Sequence, residues 1–203
     1  MTLERAFKQN MARLERDGKR LVRRGWIVPM NLTFIELSDL IEASKSTSPD
    51  DLFIGLYEHN GGKEFERAID DLLHERSLNT WSPLIRQTAD AYRRKHYAIT
   101  VPALLALIEA SAMHSQGNVG FLTYARQCVD TAEARLPDSL SVVLWRITWH
   151  YLVLLWGGPR FGGAKPVGLN RNWILHGRTA ANWTQADSLR LFQAAHTVSA
   201  LLR

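Results

Sequence analysis

The sequence predicts an all-α protein, a multi-helix bundle with an N-terminal helical extension. Three observations predict it. Apolar residues return every three to four positions along segment after segment. Helix caps, early prolines and terminal glycines separate those segments. The 203 residues are 46% hydrophobic and 22% charged, enough apolar material for a sizeable core and too much for a disordered chain.

Residues 2–24 form the first predicted helix. Thr2 stands at its cap, and Leu3, Phe7, Met11, Leu14, Leu21 and Val22 make a thin apolar stripe near the helical period. Arg5, Lys8, Arg13, Arg16, Lys19, Arg20, Arg23 and Arg24 cover the rest. Gly25 stops the helix, and Trp26-Ile27-Val28-Pro29 is a short extended apolar link, since the residue before a proline avoids the α region. A second helix runs from about Thr33 to Ser46, with Phe34, Leu37, Leu40 and Ile41 facing inward. Ser48-Pro49-Asp50-Asp51 opens a third, with a cap, a first-turn proline and acids at the positive end of the dipole. Asn60-Gly61-Gly62 ends it, and a further helix spans about Lys63 to Ser77.

Ser82-Pro83 starts the next helix, with Leu84, Ile85, Ala89 and Tyr92 on its apolar side. In Tyr97 to Glu109, Pro102 fits the first turn of a helix that is apolar nearly all round, hence buried. Glu109 is the one acid on it. If buried, the carboxylate needs a partner, and Arg171 is one candidate; a surface-facing Glu109 fits the sequence equally well. Residues 117–135 are amphipathic and end before Pro137. Asp138 is the expected cap of an apolar helix over 139–156 that Gly157-Gly158-Pro159 ends. Leu140 to Trp156 is the one run that resembles a membrane span. Arg146 and His150 lie in its middle, where charge is costly in a bilayer, so it is expected to be a core helix and the chain to have no membrane contact. Thr184 caps the last helix with Asp187 at the third position, an imperfect capping box, and Leu191, Phe192, Ala195, Val198 and Leu202 form its core stripe.

Charge is unevenly spread. Residues 1–24 carry eight Lys/Arg against three Asp/Glu, the whole net excess of +5. No Asp or Glu occurs between Asp138 and Asp187, an interval that holds Arg146, Arg160, Lys165, Arg171 and Arg178. Such a field would attract a polyanion such as RNA, and a basic surface that only aids solubility accounts for it equally well. The single cysteine, Cys128, excludes an internal disulfide framework and points to a reducing compartment. With an N-terminus charged from Glu4 onward and no apolar signal segment, the expected location is cytoplasmic. The seven histidines are scattered. Asp71/His74 is the nearest approach to a ligand pair and fits a helix-surface contact better. No metal or cofactor is expected.

One stretch carries chemistry: Leu169-Asn170-Arg171-Asn172-Trp173-Ile174-Leu175-His176-Gly177. Histidine titrates near neutrality and can move a ribose 2′-hydroxyl proton or protonate a leaving oxygen. Arginine neutralises a phosphate through two parallel hydrogen bonds. Spacing alone does not single it out, because Arg67/His74 and Arg190/His196 are similarly spaced within amphipathic helices. The middle pair differs in having a polar residue, Asn172, after the arginine and a glycine after the histidine. Five positions of ideal helix turn through roughly 140°. Arg171 and His176 therefore converge only at an irregular helix start, or when a second copy completes the site across a two-fold axis.

The stretch Asn170 to Arg178 resembles the signature of the HEPN superfamily, all-helical domains with an Arg, a polar residue, a short spacer and a His. Tyr97 to Glu109 is similar to a segment of bacterial members with this Asn-Arg and His-Gly form. The likeness covers roughly residues 80–203, which it marks as the HEPN-like domain, with 1–79 as an N-terminal helical region. It implies a homodimer that joins two motifs in one cleft, and a metal-independent endoribonuclease of toxin–antitoxin or phage-defence type, with RNA as substrate and an antitoxin or defence-system protein as partner. Carried onto this chain, Arg171 stabilises the phosphate, His176 acts as general acid/base, and Asn172 orients the histidine or the RNA. Asn170, Arg178, Arg160 and Lys165 contact substrate, with Glu109 in support. At the position after the arginine, active members often have histidine or aspartate; asparagine cannot transfer protons. The alternative is a catalytically inactive HEPN-like module that binds nucleic acid or a partner protein.

Overall fold

The computed structural model describes residues 3–112, 117–157 and 163–202. Among them stand nine α-helices, one 3₁₀ turn and no strand, an all-α multi-helix bundle. No helix among the described residues is long and apolar enough to cross a membrane.

Helix α1 spans Leu3–Arg23; its expected cap, Thr2, lies outside the described residues. Met11, Leu14, Leu21 and Val22 are buried, whereas Phe7 is half exposed. Between them Asp17 is buried as well, ringed by Arg16 and Arg20 at 3.3 Å and Lys45 at 3.4 Å. Burial pushes its carboxyl up, but Arg16 and Lys45 outweigh that and hold it below the usual range. Arg13 pairs with Glu42 at 2.7 Å and Lys8 with Asp138 at 3.3 Å. Much of the basic face is therefore matched inside the molecule. The link Trp26-Ile27-Val28 is fully buried, and Trp26 stacks on Phe53 with ring centroids 4.2 Å apart.

Helix α2 (Phe34–Ala43) begins at a complete Thr33/Glu36 capping box. Leu37 and Ile41 are buried as expected, but Phe34 is 37% exposed. It is the first helical residue, and side chains lean toward the helix N-terminus, which carries its ring past the packed face. Helix α3 (Pro49–His74) leaves helical geometry at His59–Gly62, where Asn60, Gly61 and Gly62 take φ of 53°, 71° and 82°. The break falls where Asn60-Gly61-Gly62 predicts it. Ser48 makes no side-chain cap. Asp50 accepts from the Trp26 indole at 2.7 Å and pairs with Arg190 at 2.6 Å, so the acid expected to serve the dipole is a tertiary contact.

A 3₁₀ turn (Arg76–Trp81) leads to α4 (Ser82–Arg93) and α5 (Tyr97–Ala110). Helix α5 starts five residues before Pro102, which lies inside it rather than in its first turn as expected. The missing N–H removes only the bond to Ala98 near the helix start, and Val101, Leu104, Leu105, Leu107 and Ile108 are fully buried around it. Helix α6 is Phe121–Arg135, and α7 (Leu140–Trp156) is capped by Ser139, whose hydroxyl accepts from Val142 N. Asp138, the expected cap, faces Lys8 instead. Arg146 is held by Glu133 at 2.8 Å and Glu15 at 3.2 Å. Gly157 ends α7; a Cβ there would lie 2.2 Å from the carbonyl oxygen of Val153. Gly158 and Pro159 lie outside the described residues.

After α8 (Arg171–Leu175), α9 (Gln185–Leu201) closes the chain with both halves of the Thr184/Asp187 box made. It packs along α5 and α3, while α1 packs along α7. Helix α9 is buried on nearly every side, more than its apolar stripe predicts: Ser188, Gln193, His196, Thr197 and Ser199 are also inside. Four of them find a partner across the core, and Ser199 donates to His196 O within the helix at 3.0 Å. Thr100 meets Ser188 at 2.6 Å, Gln193 donates to Ile27 O, Thr197 donates to Val28 O at 3.1 Å, and His196 pairs with Asp71 at 2.9 Å. The buried link thus satisfies its carbonyls through side chains of α9 rather than through a sheet.

Candidate functional site

Helix α8 is a single turn wedged against the ends of α5 and α7. Asn170 caps it from a position 3% exposed. Its side-chain oxygen accepts from Trp173 N at 3.2 Å, and its amide nitrogen donates to the carbonyls of Leu154 and Gly157. Asn172 donates to Trp156 O at 2.9 Å. The last carbonyls of any helix have no intrahelical donor. Here the two asparagines flanking Arg171 cover three of the carbonyls at the end of α7. The capping role of Asn170 was missed in the sequence although asparagine is a favoured N-cap, and the link to α7 has no local signal.

Arg171 points toward α5. Its Nη2 lies 3.0 and 3.1 Å from the two Glu109 oxygens, and its Nη1 donates to Asn172 Oδ1 at 3.2 Å. Glu109 also accepts from the Trp156 indole at 2.9 Å, and that ring packs on Phe121 at a centroid distance of 4.8 Å. Glu109, Trp156, Asn172 and Arg171 form one network joining α5, α7 and α8, so the pairing of Glu109 with Arg171 is made. Arg171 Nε is buried with no hydrogen-bond partner among the described residues. Glu109 brings a negative charge from another helix into the acid-free interval and offsets part of its positive field.

His176 stands at the other end of the turn, as the C-cap, and is exposed. The chain leaves the helix by a Schellman closure: Gly177 N donates to Ile174 O at 3.1 Å and Arg178 N to Trp173 O at 2.8 Å, with Gly177 at φ 67°. The His-Gly pair is therefore also a helix stop, because glycine takes that φ without steric cost. Ile174 anchors the turn in the core. Lys165 and Arg178 are exposed nearby in sequence, and Arg160 lies outside the described residues.

In the two similarly spaced pairs, Arg190, His196 and His74 have other partners. Arg190 binds Asp50 and Asp187, and His196 pairs with Asp71. His74 contacts Asp70 O through Nδ1 at 2.7 Å, so Asp71 and His74 turn to different partners. Compared with known proteins, the chain matches no family model, and no curated protein or solved structure is significantly similar to it.

Proposed function

We propose that the chain is a metal-independent endoribonuclease of HEPN type that works as a homodimer in toxin–antitoxin or phage-defence biology. The observation that carries this reading is the division of labour in one helical turn. Arg171 is oriented by Glu109 and Asn172, while His176 is presented to solvent on a turn anchored by Ile174. In the proposed reaction a ribose 2′-hydroxyl attacks the adjacent phosphorus and the P–O5′ bond breaks. His176 transfers a proton at one of the two oxygens, and Arg171 balances charge on the phosphate. The products end in a 2′,3′-cyclic phosphate and a 5′-hydroxyl. Asn172, with both ends of its amide engaged, is a positioning residue for Arg171. Exposed Lys165 and Arg178 extend the phosphate-binding surface.

RNA incubated with the protein in excess chelator, beside His176→Ala, tests the reading. Cleavage by the wild type is expected to fall at least about a hundredfold in the variant. His176 is exposed, so the variant should melt with the wild type. Cleavage that survives the substitution removes the proposal. The second reading, a non-catalytic module that binds nucleic acid or a protein, is favoured by one observation: Arg171 already holds a carboxylate. It expects salt-sensitive RNA binding without cleavage.

A further inference from the structure

Between the C-terminal end of α1, the last turns of α7 and residues 166–170 lies a cleft of about 690 Å³, within the range of small-molecule sites. Its walls include Val153, Leu154, Val167 and Leu169. Three of these aliphatic side chains stand in water: Val153 is 37%, Leu154 46% and Val167 fully exposed. Grouped on one concave surface, they make a patch of the kind that marks a binding site rather than scattered surface apolars.

The α1 edge of the cleft carries Arg23 and Arg24, both exposed. Upstream on α1, Lys8, Arg13, Arg16, Lys19 and Arg20 pair with carboxylates. These two differ. Arg24 donates to Ser44 O at 2.7 Å, and among the described residues no carboxylate pairs with either. Arg190, also at the cleft, is already matched by Asp50 and Asp187. No acidic side chain among the described residues lines the space. An apolar wall thus meets two uncompensated guanidinium groups, the donors best shaped for a carboxylate.

We propose that this cleft binds an amphipathic carboxylate, its hydrocarbon body against Val153, Leu154, Val167 and Leu169 and its carboxylate on Arg23 and Arg24. Nucleic acid fits the walls poorly, because single strands are held by aromatic stacking and, among the described residues, the one aromatic lining residue, Tyr151, is buried. A second copy seated here about a two-fold axis would bring the same unmatched cations to one interface from both sides. The assignment stands apart from the nuclease reading and uses neither Arg171 nor His176.

Calorimetric titration with octanoate tests it, with octanol as the uncharged tail and acetate as the head alone. Octanoate is expected to bind saturably at one site per chain, and octanol and acetate at least roughly tenfold more weakly. Replacing both Arg23→Gln and Arg24→Gln should weaken octanoate about tenfold and leave octanol unchanged. Leu154→Gln, at a half-exposed position that folding tolerates, should weaken both. Circular dichroism melting confirms that each variant is folded. Three results overturn the proposal: no saturable octanoate binding, equal affinity in the folded variants, or binding to anionic phospholipid vesicles without binding of free octanoate.

Discussion

Asn170 does with one amide what three separate groups would otherwise do: it caps α8 and satisfies two carbonyls at the end of α7. Asn170→Ala is expected to lower stability by about 2 kcal/mol, combining a lost cap with carbonyls left unmatched. Urea unfolding would read it, and a loss below about 0.5 kcal/mol would mean that water takes over those bonds. His150 gives a different residue-scale effect. Its Nε2 is buried with no partner among the described residues, and burial first, then Lys19 and Arg23, hold its pKa below the ordinary value. As pH falls through the usual histidine range, the unfolded chain takes up that proton before the folded one does. Stability from the neutral ring is thus complete above the unfolded pKa and declines below it. His150→Leu should therefore flatten the fall in urea midpoint between pH 7.5 and 5.5. An unchanged slope would show that the ring protonates freely in the folded protein.

At the scale of the element, the punctuation of the helices was legible and their partners were not. Thr184 with Asp187 and the break at Gly61-Gly62 act where sequence places them, because caps and glycine breaks are decided within four residues; the Thr33/Glu36 box at the start of α2 is local in the same way but was missed. Ser139 takes the cap expected of Asp138 because Asp138 turns to Lys8, far away in the chain. The burial of α9's polar side was hidden for the same reason: it bonds to a link more than 160 residues earlier. In the candidate site, the motif could be named from sequence, and the Glu109–Arg171 pair was one of two readings that a lone acid on an apolar helix left open. That Asn170 and Asn172 serve the end of α7 could not. Gly157 is the sharpest element-scale test of this seam. A Cβ would meet Val153 O at 2.2 Å, a backbone atom that can yield only by unwinding the last turn of α7. Gly157→Ala should cost about 1–3 kcal/mol and shift the carbonyl that Asn170 holds. Unchanged melting would show that the turn yields without loss.

For the whole molecule, the arrangement of charge favours a focused site over a broad one. The net excess sits on residues 1–24, yet Asp17, Glu42 and Asp138 match several of the cations there. The acid-free interval receives Glu109 from α5. What α8 then offers is an inward guanidinium at one end of its turn and an outward imidazole at the other. A phosphate in reaction needs both groups at once. If a two-fold axis joins two motifs, Arg171 of one chain serves the reaction beside His176 of the other. That demand can be tested with inactive parents. Arg171→Ala and His176→Ala chains, co-expressed with different tags and purified as the mixed dimer, retain one Arg171 and one His176 across the axis. The mixed dimer is expected to cleave RNA well above either parent, measured with chelator present. Activity that stays at the parental level, in a mixed dimer shown intact by sedimentation, would mean that each chain must supply both groups itself and that the shared cleft does not exist.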